Sequence, residues 1–148
     1  MRIYLAASLF TYAERQWNER FAQALEGVLD GGEVVLPQEF ETSSAHEEDK
    51  KHAVLFRKCV KGIDRADAVV AIADGTDVES GTAWEMGYAY GTGKPVVAVR
   101  TDFRPGAESG VNIMISRGCR LFLDESQNVE DLPAMAKDIV RRLKKLCK

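Results

Sequence analysis

The segment at residues 68–73, Ala-Val-Val-Ala-Ile-Ala, constrains the fold more than any other part of the chain. It is apolar throughout and is bounded by Asp67 and Asp74, so its length and its β-branched residues predict a buried strand. A strand that is apolar on both faces is typical of a parallel sheet with helices on both sides. The segment therefore predicts an α/β fold.

Further strands and helices are predicted to alternate along the rest of the chain. Strands are predicted at residues 2–7, 33–36, 95–99 and 119–123, and helices at 11–29, 52–63, 81–91 and 130–146, with a helical turn at 112–116. Thr11 and Glu14 are typical of a capping box at the start of the first helix. The polar stretch 38–49 is predicted to be a surface loop. This alternation predicts a doubly wound, mostly parallel five-stranded sheet, flavodoxin-like or Rossmann-like, forming one domain over residues 1–148.

Composition argues against nucleic-acid and membrane partners and favours a reducing compartment. The chain has 20 Lys and Arg against 23 Asp and Glu, and a net charge of −3 argues against a nucleic-acid groove. No apolar run approaches the roughly 20 residues of a membrane-spanning helix, so no membrane partner is expected. The three cysteines are far apart in sequence and form no CxxC pair: Cys59, Cys119 and Cys147. We therefore expect neither disulfides nor a zinc site, and a cytoplasmic location.

The acidic residues cluster where a ligand is expected. In open α/β sheets, ligands bind outside the carboxyl ends of the strands, which here are followed by residues 6–10, 74–85 and 100–112. The densest cluster follows the strongest strand and contains Asp74, Asp77, Glu79 and Glu85. Glu85 differs from the others because its helix is otherwise apolar, so a lone acid there needs a reason.

Two interpretations of Glu85 stay open from its local sequence. It either caps backbone amides or pairs with an arginine, or it is a nucleophile or general base with Glu79 as its polar partner. A pair of carboxylates suits glycosyl chemistry, in which one attacks or stabilises the sugar carbon and the other handles the proton. Gly81 and Gly87 fit a crowded site, although tight packing of a helix on a sheet explains them equally well.

Several common binding motifs are absent from the sequence. No GxGxxG follows the first strand, and the Gly-Thr-Gly-Lys at 91–94 ends a helix and so is not a P-loop. His46 and His52 lie near acidic residues, but their spacing matches no recognised set of metal ligands, so a solvated surface is expected there.

Four segments of the chain resemble the nucleoside 2-deoxyribosyltransferases. They are Tyr-Leu-Ala-Ala at 4–7, Gly-Ile-Asp-Arg-Ala-Asp-Ala-Val-Val-Ala at 62–71, Ser-Gly-Thr-Ala-Trp-Glu-Met-Gly-Tyr-Ala at 80–89 and Gly-Lys-Pro-Val at 93–96. The resemblance extends from residue 2 to about residue 118. It implies a doubly wound fold and the exchange of bases on 2′-deoxynucleosides, with a free nucleobase as the second substrate and no metal or organic cofactor.

The resemblance also implies roles for individual residues. Glu85 matches the nucleophile that forms a covalent deoxyribosyl ester with overall retention, and Tyr4 matches the tyrosine that orients it. Asn112, followed closely by Met114, matches a segment whose asparagine reaches the sugar and the nucleophile of a neighbouring subunit. The resemblance therefore implies a homo-oligomer with shared sites. Taken alone, Asn112 is typical of a helix cap, and Tyr4 of an ordinary strand residue.

Two positions depart from the pattern of the family. Glu79 stands where the family commonly has an aspartate that contacts the sugar or base. Cys59 stands where the family often has an aspartate that binds or protonates the base. Asp64 and Asp77 are candidates to replace that acid, and the range of bases accepted, purines alone or purines and pyrimidines, stays open.

Two other functions compete with base exchange. A related branch hydrolyses 2′-deoxynucleoside 5′-monophosphates and binds the phosphate with a Ser- and Arg-containing loop after the first strand. The corresponding loop here lacks a Gly-rich Arg segment, and Phe10 suits stacking on a base, which favours nucleosides. Ser8, Arg15 and Arg100 keep the phosphate interpretation open. The third function is a non-catalytic nucleoside-binding module, which would tolerate Gln in place of Glu85.

Overall fold

The sheet is entirely parallel, as the computed structural model shows. The structure describes residues 1–41, 48–102, 104, 111–126 and 130–147. The five strands are β1 (Arg2–Ala6), β2 (Glu33–Val35), β3 (Ala68–Ile72), β4 (Val96–Arg100) and β5 (Leu121–Asp124). Their order in the sheet is β2-β1-β3-β4-β5, and all four neighbouring pairs are parallel. The order reverses between β1 and β3, which is where doubly wound sheets open a crevice for ligands.

In the part of the chain that the structure describes, five helices cover the two faces of the sheet. They are α1 (Tyr12–Val28), α2 (Glu48–Arg65), α3 (Ser80–Gly91), α4 (Ile113–Gly118) and α5 (Leu132–Leu146), and a short 3₁₀ helix spans Pro37–Glu39. One core cluster joins the sheet to α1 and α5, and the other joins it to α2 and α3. The predicted doubly wound fold is confirmed.

Alternation along β1 decides which side chain meets which layer. Ile3 and Leu5 belong to the cluster under α1 and α5, whereas Tyr4 and Ala6 belong to the cluster under α2 and α3. The central strands β3 and β4 are buried along their whole length, as the apolar sequence of β3 predicts. The period of two therefore points Tyr4 toward α3, the helix that carries the acidic candidate.

The largest difference from the predicted elements is the start of α2. This helix begins at Glu48 rather than at residue 52, inside the stretch predicted to be a loop, and residues 42–47 lie outside the described part of the chain. Its first turn is polar on every side, so hydrophobic periodicity gives no signal there. Glu48 and Asp49 stabilise the helix start through the helix dipole. Within the described residues, no helix has the length and apolar character needed to cross a bilayer.

The start of α1 confirms the predicted capping box. Thr11 is the N-cap, its side chain accepts a hydrogen bond from the Glu14 N–H, and the Glu14 carboxylate accepts one from the Thr11 N–H. Both reciprocal bonds satisfy backbone groups that the first helical turn leaves unpaired. The loop between β1 and α1 is therefore fixed at the carboxyl end of the sheet.

Gly62 sets the distance between α2 and the sheet. A Cβ added there would lie 2.9 Å from the Tyr4 ring, so Gly62→Ala is expected to lower the free energy of unfolding by about 1–2 kcal/mol despite the better helix propensity of alanine. Gly27→Ala is the matched control because no described residue lies within 4 Å of its added Cβ, and it should raise stability by about 0.5–1 kcal/mol. Urea unfolding monitored by circular dichroism measures both values. Equal effects of the two substitutions would contradict the close contact with Tyr4.

Candidate active site

A hydrogen bond between β1 and α3 forms the centre of the site. The Tyr4 hydroxyl donates to Oε1 of Glu85 at 2.5 Å, although 81 positions separate the two residues in the chain. Tyr4 is completely buried, and Glu85 is partly buried. The structure therefore brings together the two residues predicted to be catalytic.

Burial and its neighbours set the charge state of Glu85. Loss of solvent raises the pKa of this carboxyl to about 7, the Tyr4 hydrogen bond acts to lower it, and the negative charge of Glu79 raises it. Burial and the adjacent carboxylate raise the pKa of Tyr4, so the tyrosine stays protonated and remains a donor. A partly buried carboxyl with a pKa raised to near neutral is typical of a functional group.

Cys59 lies at the same point, on the face of α2 that packs against this cluster. Its thiol is partly buried and interacts electrostatically with both Tyr4 and Glu85. Burial raises the pKa of the Cys59 thiol, so it is neutral beside the carboxyl. Local sequence indicates only a small buried residue here, and only the comparison with the family pattern singles out this position.

Glu79 is the N-cap of α3. Its carboxylate accepts hydrogen bonds from the N–H groups of Gly81 and Thr82, both at 2.8 Å, and from the hydroxyls of Ser80 and Thr82. Burial opposes ionisation, but these donors outweigh it and hold the pKa of Glu79 below its usual range. A Cβ on Gly81 would lie 3.1 Å from Oε2 of Glu79, so glycine lets the carboxylate fold back over the helix start.

A cavity of about 420 Å³ opens at the carboxyl edge of the sheet, between the ends of β1 and β3. Its walls include three predicted substrate-binding residues, Ser8, Asp77 and Glu79. Tyr4 and Glu85 are not among its walls. Glu79 connects the two places, because it lines the cavity and its charge acts on Glu85. The full set of lining residues is Ala7, Ser8, Ala13, Glu14, Trp17, Asn18, Ile72, Asp74, Gly75, Asp77, Glu79, Thr101 and Arg104.

Hydrogen bonds between two strand-end loops fix the turn that carries Asp77 and Glu79. The Asp74 carboxylate accepts from the N–H groups of Thr101 and Asp102 and from the Thr101 hydroxyl. The buried guanidinium of Arg100 donates to the carbonyls of residues 73, 75 and 104. The Asp102 carboxylate accepts from the N–H of residue 75 at 3.1 Å. These bonds hold the turn after β3 against the end of β4.

Three other predicted residues are not among the walls of this cavity. Phe10 is 75% exposed at the start of α1. Asn112 is the N-cap of α4 and accepts from the Met114 N–H at 2.8 Å, as expected from its sequence alone, and Met114 is 78% exposed. Among the described residues, nothing lies within 4 Å of a Cβ added to Gly87, so close packing against them does not explain this glycine.

Candidate metal ligands are sparse in the described part of the chain. No group of three or more His, Cys, Asp or Glu side chains there is arranged to hold a metal ion. His52 lies 3.8 Å from Glu48 on the exposed start of α2, and His46 lies outside the described residues. The cysteines at positions 59, 119 and 147 are free thiols.

The hydrogen bond from Tyr4 is expected to control the titration of Glu85. Tyr4→Phe removes a donor that favours the charged carboxylate, so the pKa of Glu85 should rise from about 7, by about one unit. Carbon-13 NMR of the glutamate carboxyl resonances against pH measures this midpoint, with Glu85→Gln for assignment. Tyr12→Phe is the matched control because Tyr12 is 80% exposed. A midpoint that moves down in Tyr4→Phe would contradict the assigned role of the hydroxyl.

Known structures with related sequences share this architecture. The 2-deoxyribosyltransferase of the psychrotolerant bacterium Bacillus psychrosaccharolyticus is 26% identical, with a TM-score of 0.73 over 88% of this chain and 91% of that chain. A conserved protein from Enterococcus faecalis V583 is also 26% identical, with a TM-score of 0.67 over 91% of this chain and 98% of that chain. A CMP N-glycosidase from Clostridium botulinum, at 19% identity and a TM-score of 0.55 over 89% of this chain and 98% of that chain, shares the fold.

A family comparison covers most of the sequence. Among curated proteins, no sequence matches this chain significantly. The profile of the family described as nucleoside 2-deoxyribosyltransferase matches residues 3–131, a range that contains Tyr4, Glu85 and every element from β2 to β5. The chain therefore belongs to the nucleoside 2-deoxyribosyltransferase family.

Proposed function

We propose that the protein exchanges the base of 2′-deoxynucleosides through a covalent intermediate on Glu85. The observation that carries this proposal is the partly buried carboxyl of Glu85, held by Tyr4, in a chain of this family. The free carboxylate oxygen attacks the anomeric carbon as the bond to the base breaks, which gives a deoxyribosyl ester. A second base then attacks that carbon and releases the carboxylate, so two inversions give net retention.

Tyr4 acts on the carboxylate, not on the substrate. Its hydroxyl engages Oε1 of Glu85 and leaves Oε2 for attack. Because the pKa of Tyr4 is raised, the hydroxyl keeps its proton throughout the cycle. A fixed carboxylate loses little orientational freedom on reaching the transition state, which is how positioning accelerates such a step.

The departing base needs a proton, and Asp77 is the better of the two candidate acids. Asp77 is exposed and lines the cavity, and its side chain makes no hydrogen bond within the described part of the chain. Asp64 instead accepts a hydrogen bond from the Tyr88 hydroxyl at 2.9 Å. We therefore assign base binding and protonation to Asp77, while Cys59 presents a neutral thiol beside the nucleophile.

The remaining assigned residues surround the substrate. Glu79 faces the cavity as an ionised carboxylate and is suited to accept a hydroxyl of the deoxyribose, and Gly81 leaves room for that carboxylate. Ser8 lines the same cavity. Phe10, exposed near the cavity-lining loop, offers an apolar face for stacking on the base.

Replacing the nucleophile tests this reaction directly. Glu85→Gln should lower the rate of forming 2′-deoxyadenosine from 2′-deoxyinosine and adenine by about 10³-fold or more, because an amide is not a nucleophile here. Glu33→Gln is the control, since this carboxylate is exposed at the amino end of β2 and pairs with Arg2. Chromatography measures the products, and mass spectrometry of the wild type with donor alone should find a deoxyribosyl adduct on the peptide that contains Glu85.

Three results of that experiment would change the assignment. Near-normal transfer by Glu85→Gln would remove Glu85 as the nucleophile. Release of free base without any new nucleoside, in the presence of adenine, would assign hydrolysis instead of transfer. Binding of the nucleoside without any turnover in the wild type would assign a binding module.

We further propose that the active form is a homo-oligomer in which Asn112 completes the site of a neighbouring subunit. An apolar cavity of about 470 Å³ lies between α3 and α4. Its lining includes Tyr90, Ile113 and Met114, which are 67%, 65% and 78% exposed. An exposed apolar patch of this kind is typical of an interaction surface, and it lies beside Asn112. Gly87 also lines this cavity, and the absence of a side chain there would let the backbone of a neighbouring subunit approach α3 closely.

Mixing two inactive variants tests whether the site is shared. Glu85→Gln lacks the nucleophile, and Asn112→Asp keeps an acceptor for the helix cap but replaces the amide donor with a charge. In a random mixture with two-fold symmetry, half of the dimers carry one intact site, so about a quarter of the wild-type activity should return. Activity no higher than the mean of the separate variants would show that each site is complete within one chain.

A further inference from the structure

We propose that Glu14 is the residue that excludes a 5′-phosphate from the site, so that the protein takes neutral deoxynucleosides and rejects their 5′-monophosphates. This inference rests on the proposed function, because it concerns the substrate of the same site. Glu14, in the first turn of α1, would then determine substrate specificity in addition to capping the helix.

The loop after β1 closes around the Glu14 carboxylate. Three donors converge on it, which are the Ser8 hydroxyl at 2.6 Å, the Phe10 N–H at 3.0 Å and the Thr11 N–H at 2.7 Å. A capping box needs only the bond from Thr11, so Ser8 and Phe10 are additional. Hydroxyl and backbone N–H donors at a helix start are the groups with which proteins bind phosphate. Here an internal anion already occupies them.

Cationic groups near the cavity are also engaged. Arg15 donates to the carbonyl of Gln38 at 3.3 Å, and Arg100 donates its hydrogen bonds to backbone carbonyls. Arg104 lines the cavity, but its guanidinium is paired with Asp102 at 2.6 Å. Ser8 and Arg100, two of the three residues that kept a phosphate site open in the sequence, therefore have their donors engaged within the protein, and the third, Arg15, makes one hydrogen bond to a carbonyl.

The negative charge of the cavity walls repels a phosphate, in addition to the occupation of the Ser8, Phe10 and Thr11 donors by Glu14. Besides Asp77, which the proposed reaction uses as an acid, Glu14, Asp74 and Glu79 line the cavity, and Arg104 is the one cation among its lining residues in the described part of the chain. The hydrogen bond from Ser8 holds the pKa of Glu14 below its usual range, with Thr11 and Phe10 acting in the same sense against burial, so this carboxylate is ionised at neutral pH.

A neutral substrate is compatible with these walls. We place C1′ at Glu85 and the rest of the sugar in the acidic cavity, because Glu79 lines that cavity and its charge acts on Glu85. Carboxylates there can accept hydrogen bonds from the hydroxyl groups of the sugar. A 5′-phosphate in the same place brings a second anion against Glu14, and the Ser8, Phe10 and Thr11 donors that could offset the loss of its hydration are already bound to Glu14. Discrimination therefore comes from repulsion of the phosphorylated substrate rather than from tighter binding of the nucleoside.

A graded pair of substitutions tests this inference. Glu14→Gln keeps a capping side chain and removes the charge, whereas Glu14→Ala also releases the three donors. We expect the ratio of kcat/KM for a 2′-deoxynucleoside over its 5′-monophosphate to fall by about tenfold in Glu14→Gln and further in Glu14→Ala. The inhibition constant of the monophosphate against nucleoside transfer should fall in the same order. Circular dichroism confirms that α1 is retained.

Control measurements separate the possible failures. Glu33→Gln removes the same charge at the opposite edge of the sheet and should leave the ratio unchanged. An equal fall in Glu14→Gln and Glu33→Gln would assign the effect to net charge and overturn the inference. So would a wild type that uses the monophosphate as well as the nucleoside, or an unchanged ratio in both Glu14 variants. A wild type inactive on both substrates would instead overturn the proposed function.

Discussion

The hydrogen bond from Tyr4 to Glu85 is the constraint on which the site depends. It joins the second strand from the edge of the sheet to the middle of α3, and it exists only because β1 and β3 are neighbours and α3 returns over them. Because the pKa of Glu85 is raised in the folded protein, this carboxyl stabilises the fold in its protonated form. Its contribution to the free energy of unfolding is complete below pH 4.5, the ordinary pKa of glutamate, and is lost as the pH rises through about 7. A carboxylate ionised near neutral pH is therefore retained at a cost in stability, which is common where strain or desolvation serves chemistry.

Around this pair, hydrogen bonds tie the loops at the carboxyl edge of the sheet to neighbouring elements. The turn after β3 is tied to the end of β4 by Asp74 and by the buried guanidinium of Arg100, whose hydrogen-bond partners are carbonyls. The loop after β1 is tied to α1 by Glu14. Glu79 closes the start of α3 with its own side chain. The carboxylates of Asp74, Glu14 and Glu79 thus accept hydrogen bonds from nearby backbone N–H groups. Because these bonds hold them at the cavity, their negative charge also acts on a ligand there.

The sequence predicted the fold well because its strongest signals are local. The apolar run of β3, the capping box of α1 and the alternation of strands and helices each follow from neighbouring residues, and the sheet order confirms their combination. Glu85 stood out as a lone acid in an apolar helix. Its contact with Tyr4 did not follow from periodicity, because a bond across 81 residues depends on the register of the sheet, and only the family resemblance paired them. The polar start of α2 and the capture of Glu14 by Ser8 left no periodic signal at all.

Cys59 explains how the departures from the family pattern fit together. An aspartate at that position would place another carboxyl beside Glu85, in addition to Glu79, and mutual repulsion would raise the pKa of Glu85 further. A neutral thiol keeps that repulsion to the single charge of Glu79. Glu79 in turn is neutralised in part by the helix start that it caps. The two unusual residues are therefore coupled through the charge of Glu85: the thiol removes one source of repulsion, and the helix start weakens the other.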